Sequence, residues 1–116
     1  MKNKSYLRVS GMLGFAQRAG KLVIGTDLVC RALAKNGRGR VELVLVASDA
    51  SDGTQKKVYS KCEFYKTEVY KVELDSSELG KLLGKTFAPV TVGVKDEGFA
   101  FEIKKAITAK ECGDNS

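Results

Sequence analysis

The stretch Val41-Glu42-Leu43-Val44-Leu45-Val46 constrains the fold more than any other part of the chain. It is rich in β-branched residues and almost unbroken in apolar character, as a central strand covered on both faces must be. Such a strand needs helices above and below it, and the flanking sequence supplies them in alternation. From Ser5, the positions Tyr6, Val9, Met12, Leu13 and Ala16 recur at helical spacing and stop at Gly20, a natural left-handed terminus. Gly11 and Gly14 lower the propensity of this first helix, which implies that another element packs closely there. Lys21 to Ile24 is a short apolar stretch, and Thr26 reads as the N-cap of a second helix through Leu28, Val29, Ala32 and Leu33, ended by Asn36-Gly37.

Ser48 to Gly53 is turn chemistry, after which Val58, Cys62 and Tyr65, with Tyr59, mark a third helix with Lys56, Lys57 and Lys61 on its wet side. Val69 to Val72 is the next strand. Asp75-Ser76-Ser77-Glu78 has a capping residue with Glu three positions later, so it starts a short helix over Leu79, Leu82 and Leu83 that Gly84 terminates. Val90 to Val94 alternates as a strand, and Gly98 introduces a last helix with Phe99, Ile103, Ala106 and Ile107 on its apolar face. The order α-β-α-β-α-β-α-β-α predicts an α/β domain with a four-stranded mixed, mainly parallel sheet between helices, with room for one antiparallel strand. Residues 1–110 read as a single domain and 111–116 as a frayed tail.

Composition removes whole classes of chemistry. The 116 residues contain no His, so the commonest general base and metal ligand is absent, along with every Ser-His and Cys-His nucleophile arrangement. Cys30, Cys62 and Cys112 are too far apart for paired ligand motifs, and Cys30 and Cys62 read as small apolar core residues. Asp49, Asp52, Asp96 and Glu97 sit in turn-like stretches where acids serve capping and solubility, and they take no catalytic or metal role. No catalytic residue, metal or cofactor is expected. No apolar run approaches the roughly 18 residues of a membrane span, and Met1 to Arg8 lacks the apolar core of a secretory signal, so the expected compartment is the cytoplasm.

The charge is unevenly placed. Twenty Lys and Arg against fourteen Asp and Glu give +6, yet residues 1–40 alone hold nine cations against Asp27, a net of +8. Such asymmetry is either the footprint of a polyanion partner or a set of dispersed solubility charges. Two phosphate-loop look-alikes fail. Gly84-Lys85-Thr86 has Leu79 where the first glycine is required and follows a helix, and Gly20 to Asp27 ends in Thr-Asp instead of Lys-Ser/Thr. Gly25-Thr26-Asp27 has two readings. With Lys21 before it and Arg31 one turn later, this helix start can hold a bent phosphate backbone, or it is an ordinary cap with Asp27 paired to Arg31. Lys85-Thr86-Phe87-Ala88-Pro89 is a loop with an apolar tip, and Phe87 either stacks on an unpaired base or folds inward.

Five segments in order carry a resemblance: Gly14-Phe15-Ala16-Gln17-Arg18-Ala19-Gly20-Lys21, Gly25-Thr26-Asp27-Leu28-Val29-Cys30-Arg31-Ala32, Ser48-Asp49-Ala50-Ser51, Leu79-Gly80-Lys81-Leu82-Leu83-Gly84-Lys85 and Asp96-Glu97-Gly98-Phe99-Ala100. Across nearly the whole domain the chain resembles the kink-turn-binding ribosomal protein superfamily, that of large-subunit ribosomal protein seven-Ae and its thirty-e relative, in its small bacterial, YlxQ-like branch. The resemblance implies a three-layer α/β/α sandwich that binds structured RNA, ribosomal or kink-turn-containing, without performing a reaction. It implies that Gly25 and Thr26 form a close-approach turn at the RNA bend, that Arg31 stands where the family has an RNA-contacting Lys, that Lys21 precedes the same turn, and that Lys85, Thr86, Phe87 and Ala88 form a second contact loop.

Tight kink-turn binders in the family place Asn then Glu after Gly-Thr, where this chain has Asp27 and Leu28. Leu28 cannot hydrogen-bond a base, and Asp27 keeps an acceptor but loses the amide donor and adds a negative charge. Backbone binding by the basic first third is unaffected by that change. The rival expectation is a protein-interaction module on the same fold, using Leu28 and Phe87. The expected state is a monomer with no membrane contact, in the ribosome or translation machinery, with ribosomal proteins as further partners.

Overall fold

The computed structural model describes residues 4–35 and 40–108. The expected helix stop at Asn36-Gly37, Arg38, Cys112 and the expected tail at 111–116 lie outside the described residues. Nine elements follow in the expected order: α1 (Lys4–Arg18), β1 (Leu22–Ile24), α2 (Thr26–Leu33), β2 (Leu43–Val46), α3 (Asp52–Phe64), β3 (Glu68–Lys71), α4 (Ser76–Leu82), β4 (Thr91–Val94) and α5 (Glu97–Thr108). Gly20 (φ 71°) and Gly84 (φ 70°) close α1 and α4 in the left-handed region, as their place in the sequence predicts. At the start of α4, Asp75 accepts from the Glu78 N–H at 2.8 Å, and Glu78 accepts from the Asp75 N–H at 2.9 Å. This is the reciprocal capping box read from Asp75-Ser76-Ser77-Glu78.

The sheet order is β1-β4-β2-β3. Strand β4 runs antiparallel to both of its neighbours, and β3 is parallel to β2. Three strands therefore share one direction and β4 is the single reversed one. Because β4 lies between β1 and β2 and not at an edge, the sheet contains one parallel ladder and two antiparallel ones. The period-2 geometry of β2 sends Leu43 and Leu45 to one face and Val44 and Val46 to the other, and all four are buried. On the first face they meet Val9 and Leu13 of α1, Leu79 of α4 and Ile103 of α5. On the second they meet Val29 and Leu33 of α2 and Val58 and Cys62 of α3. Full burial of each Leu or Val side chain contributes roughly 1.5–3 kcal/mol, so these two apolar layers hold the sandwich together.

Three expectations need correction. Val90 to Val94 reads as an alternating strand, yet Thr91, Val92, Gly93 and Val94 are all buried, because β4 has a strand on each side and helices on both faces. Gly93 makes this possible, since a Cβ there would stand 3.2 Å from Val41 Cγ1. Gly11 and Gly14 face open space, not a tightly packed neighbour. Cys62 is buried, and burial pushes its thiol pKa up to about 11, whereas Cys30, within α2, is only half-buried. Among the described residues no helix is long and apolar enough to cross a membrane.

Candidate nucleic-acid interface

The turn from β1 into α2 is built on Gly25, whose φ of 115° and ψ of 140° suit glycine alone. This residue, not Thr26, is the N-cap of α2, and its carbonyl accepts from the Val29 N–H at 2.9 Å. Thr26 already has helical geometry and turns its hydroxyl to that of Thr91, 2.8 Å away at the start of β4. The Gly25 N–H donates to the Thr91 carbonyl at 2.9 Å. Thr91 is fully buried, so the pair satisfies a hydroxyl that would otherwise be costly to bury.

The reversed direction of β4 assembles the rest. Ile24 at the end of β1 lies opposite Val92, so the chain entering β4 arrives where the chain leaves β1 for α2. The loop after α4, from Lys85 to Pro89, is thereby brought to the same end of the sheet as the start of α2. Its path is fixed by contact: a Cβ on Gly80 would stand 2.6 Å from the Phe87 carbonyl oxygen, so only glycine lets α4 approach this loop. The Lys85 N–H donates to the Gly80 carbonyl at 2.8 Å, and buried Pro89 closes the loop. Phe87 stays 54% exposed and does not fold inward.

An open groove of about 540 Å³ follows the outer edge of β1. Leu22, Val23, Ile24, Leu28 and Ala32 give it apolar walls, and Arg31, Lys35, Lys85 and Lys95 bring four cations to it, with Gln17 at one side. Leu28 is 52% exposed and Arg31 is also exposed. Gln17 donates to the Leu83 carbonyl at 3.1 Å, which ties the end of α1 to α4, and the Lys95 N–H donates to the Lys21 carbonyl at 2.8 Å.

Of the residues singled out in the sequence, Leu28, Arg31 and Lys85 therefore share one groove. Gly25 and Thr26 set the geometry of the turn without lining it. Lys21 contributes its backbone to the junction with Lys95, and exposed Thr86, Phe87 and Ala88 continue the loop beyond Lys85. Asp27 does not pair with Arg31: its carboxylate meets the Lys57 ammonium of α3 at 3.3 Å, with the Asp27 side chain 80% exposed. Such a pair contributes at most about 1 kcal/mol and is weakened by salt. Lys35, Lys95 and Gln17 were missed as groove residues. Lys95 stands in a segment of mixed charge, and only the pairing of β1 with β4 brings it beside α2.

The acids fill the capping roles expected of them. Asp49 accepts from the Ser76 N–H at 2.9 Å and the Ser76 hydroxyl at 2.8 Å, and these bonds hold its carboxyl pKa below the usual value. Asp96 accepts from the Phe99 N–H at 2.9 Å at the start of α5. Among the described residues no group of three or more potential ligands is arranged to hold a metal ion.

Residues 8–104 match the ribosomal protein L7Ae/L30e/S12e/Gadd45 family. RNA-binding protein YlxQ of Bacillus subtilis (strain 168) is 46% identical over 89 residues, which cover 77% of this chain and 84% of that protein. A solved structure of a protein of unknown function from Bacillus halodurans C superimposes with a TM-score of 0.80 at 35% identity, covering 88% of this chain and 98% of that one. The Giardia lamblia 15.5kD RNA binding protein shares the fold, with a TM-score of 0.72 at 14% identity over 92% of this chain and 88% of that one.

Proposed function

The chain belongs to the ribosomal protein L7Ae/L30e/S12e/Gadd45 family and is not an enzyme, and from that premise we propose that it binds structured RNA through the groove beside β1. The RNA is bent or internally looped, of the kink-turn type. Its backbone runs past the start of α2, where Gly25 permits close approach and Arg31 and Lys35 meet phosphates, and the loop from Lys85 to Ala88 supports an unstacked nucleotide near Phe87. Lys21 adds charge beside the turn. The observation that carries this reading is the convergence of Arg31, Lys35, Lys85 and Lys95 on one groove beside a glycine turn. Phosphate contacts of this kind fix affinity and register, and they are salt-dependent. Asp27 and Leu28 leave base readout at the α2 start weaker than in a chain with Asn and Glu there. The protein acts in the cytoplasm as a monomer, associated with the ribosome or translation machinery, and ribosomal proteins are its neighbours.

The test compares two RNA stems, one with a tandem of sheared G·A pairs in an internal loop and one with Watson–Crick pairs in its place. Preferential binding to the first is expected; equal affinity removes kink-turn recognition and leaves general RNA binding. Arg31→Ala should weaken binding and reduce the slope of log K against log salt by about one. An unchanged slope removes Arg31 from the interface. The second reading, a protein-interaction module, is favoured by the exposure of Leu28 and Phe87 at 52% and 54%, and failure to bind either stem at low salt would select it.

A further inference from the structure

The last two turns of α3 carry a second cluster with the chemistry of a nucleic-acid contact. Lys57, Ser60, Lys61 and Phe64 fall three or four residues apart and so share one stripe of the helix. With Tyr65 they line a shallow surface hollow of about 600 Å³. Phe64 is the most exposed large apolar side chain among the described residues, at 76%. Its ring forms a T-shaped pair with that of Tyr65, at 4.8 Å between centroids and 87° between planes, and its high exposure leaves ring surface open to solvent. No core requirement explains Phe64, since Val58 and Cys62 on the opposite side of α3 fill the apolar layer. Lys57 also reaches Asp27 on α2, so the stripe begins beside the start of α2 and runs away from it along α3.

We propose that this stripe is a second RNA-contact surface, which takes a single-stranded segment by stacking a base on Phe64 while Lys57 and Lys61 meet its phosphates. The proposal builds on RNA as the ligand of the groove beside β1 and extends the interface onto a different element. An exposed aromatic face beside a run of lysines suits unpaired nucleotides, because every base offers a π-face and every nucleotide a phosphate. A protein partner would use the apolar ring but would leave Lys61 without an anionic partner unless it were acidic, and the exposed Lys57–Asp27 pair is weak enough for Lys57 to turn to a phosphate, so the charge favours the nucleotide strand.

The experiment uses the full chain and two labelled probes of about ten nucleotides, an oligouridylate and an abasic strand of the same length and charge. Fluorescence anisotropy should show the oligouridylate bound roughly fivefold or more tightly than the abasic strand. Phe64→Ala should bring that ratio to about one, and Phe64→Tyr should retain it. Phe64 is largely exposed, so circular dichroism should show both variants folded. A ratio of one in the parent protein, or a ratio that survives Phe64→Ala, overturns the proposal, and the first result would select a protein partner for Phe64. The bent stem keeps this outcome separate from that of the groove. Arg31→Ala should weaken the stem and leave the uridylate ratio intact, whereas Phe64→Ala should do the reverse.

Discussion

The two halves of the candidate interface are each anchored by one glycine, and the two glycines do opposite jobs. At the start of α2, Gly25 has open space around its Cα, and what makes it necessary is its dihedral angles. In α4, Gly80 lies inside a regular helix where any residue fits the backbone, and what makes it necessary is the Phe87 carbonyl oxygen against it. The first half is fixed by conformation and by hydrogen bonds to Thr91. The second is fixed by steric fit.

The largest effect expected from breaking this contrast is that of Gly25→Ala. A side chain there meets no neighbour, but the backbone conformation costs about 1–3 kcal/mol, to be read as a lower urea midpoint with an unchanged slope. Full stability in this variant would show that the turn relaxes freely and that conformation does not hold it. Gly80→Ala should cost less, about 1–2 kcal/mol, because the overpacking of the loop is partly offset by the better helix propensity of Ala. Adding Phe87→Ala should not rescue it, since the clash is with backbone; rescue would move the contact to the side chain. The smallest effect concerns Asp49, which links the loop after β2 to the start of α4. Its pKa is lowered in the folded state by Ser76, so its stabilisation is present above the usual carboxylate pKa and is lost as pH falls through the folded value. Asp49→Ala should therefore be slightly less stable than the parent at neutral pH, and the two should converge in acid. A constant gap across pH would point to packing in place of ionisation.

The contrast also explains what was legible in the sequence. Local devices were visible because their logic is local: the capping box of Asp75 and Glu78, the helix stops at Gly20 and Gly84, and the fully buried run of β2. Gly25-Thr26 was visible as a turn, but Thr26 was misread as the cap because its hydroxyl partner, Thr91, is remote in sequence. The burial of β4 on both faces could not be read from Val90 to Val94, since it depends on that strand entering the sheet between β1 and β2. Lys95 joins the groove for the same reason, whereas Gln17 is held there by its bond to the Leu83 carbonyl. Among the described residues the exposed charges of the first third are not all gathered in it: Arg18 lies over the Phe15 ring at 4.9 Å, away from the groove lining.

The register of the β1 edge has a consequence for when the molecule becomes competent. Among the described residues, 22–24 pair only with 92–94, so the first strand waits for the last before it has a partner. Closing so long a loop is among the slower steps a small domain takes. Arg31 and Lys35 emerge early in synthesis, yet they acquire Lys85 and Lys95 as neighbours only when that final ladder forms. Under the proposed function, a chain that has not closed its sheet would offer RNA only part of the charge of the groove, and bound RNA would in turn hold the β1 edge in place.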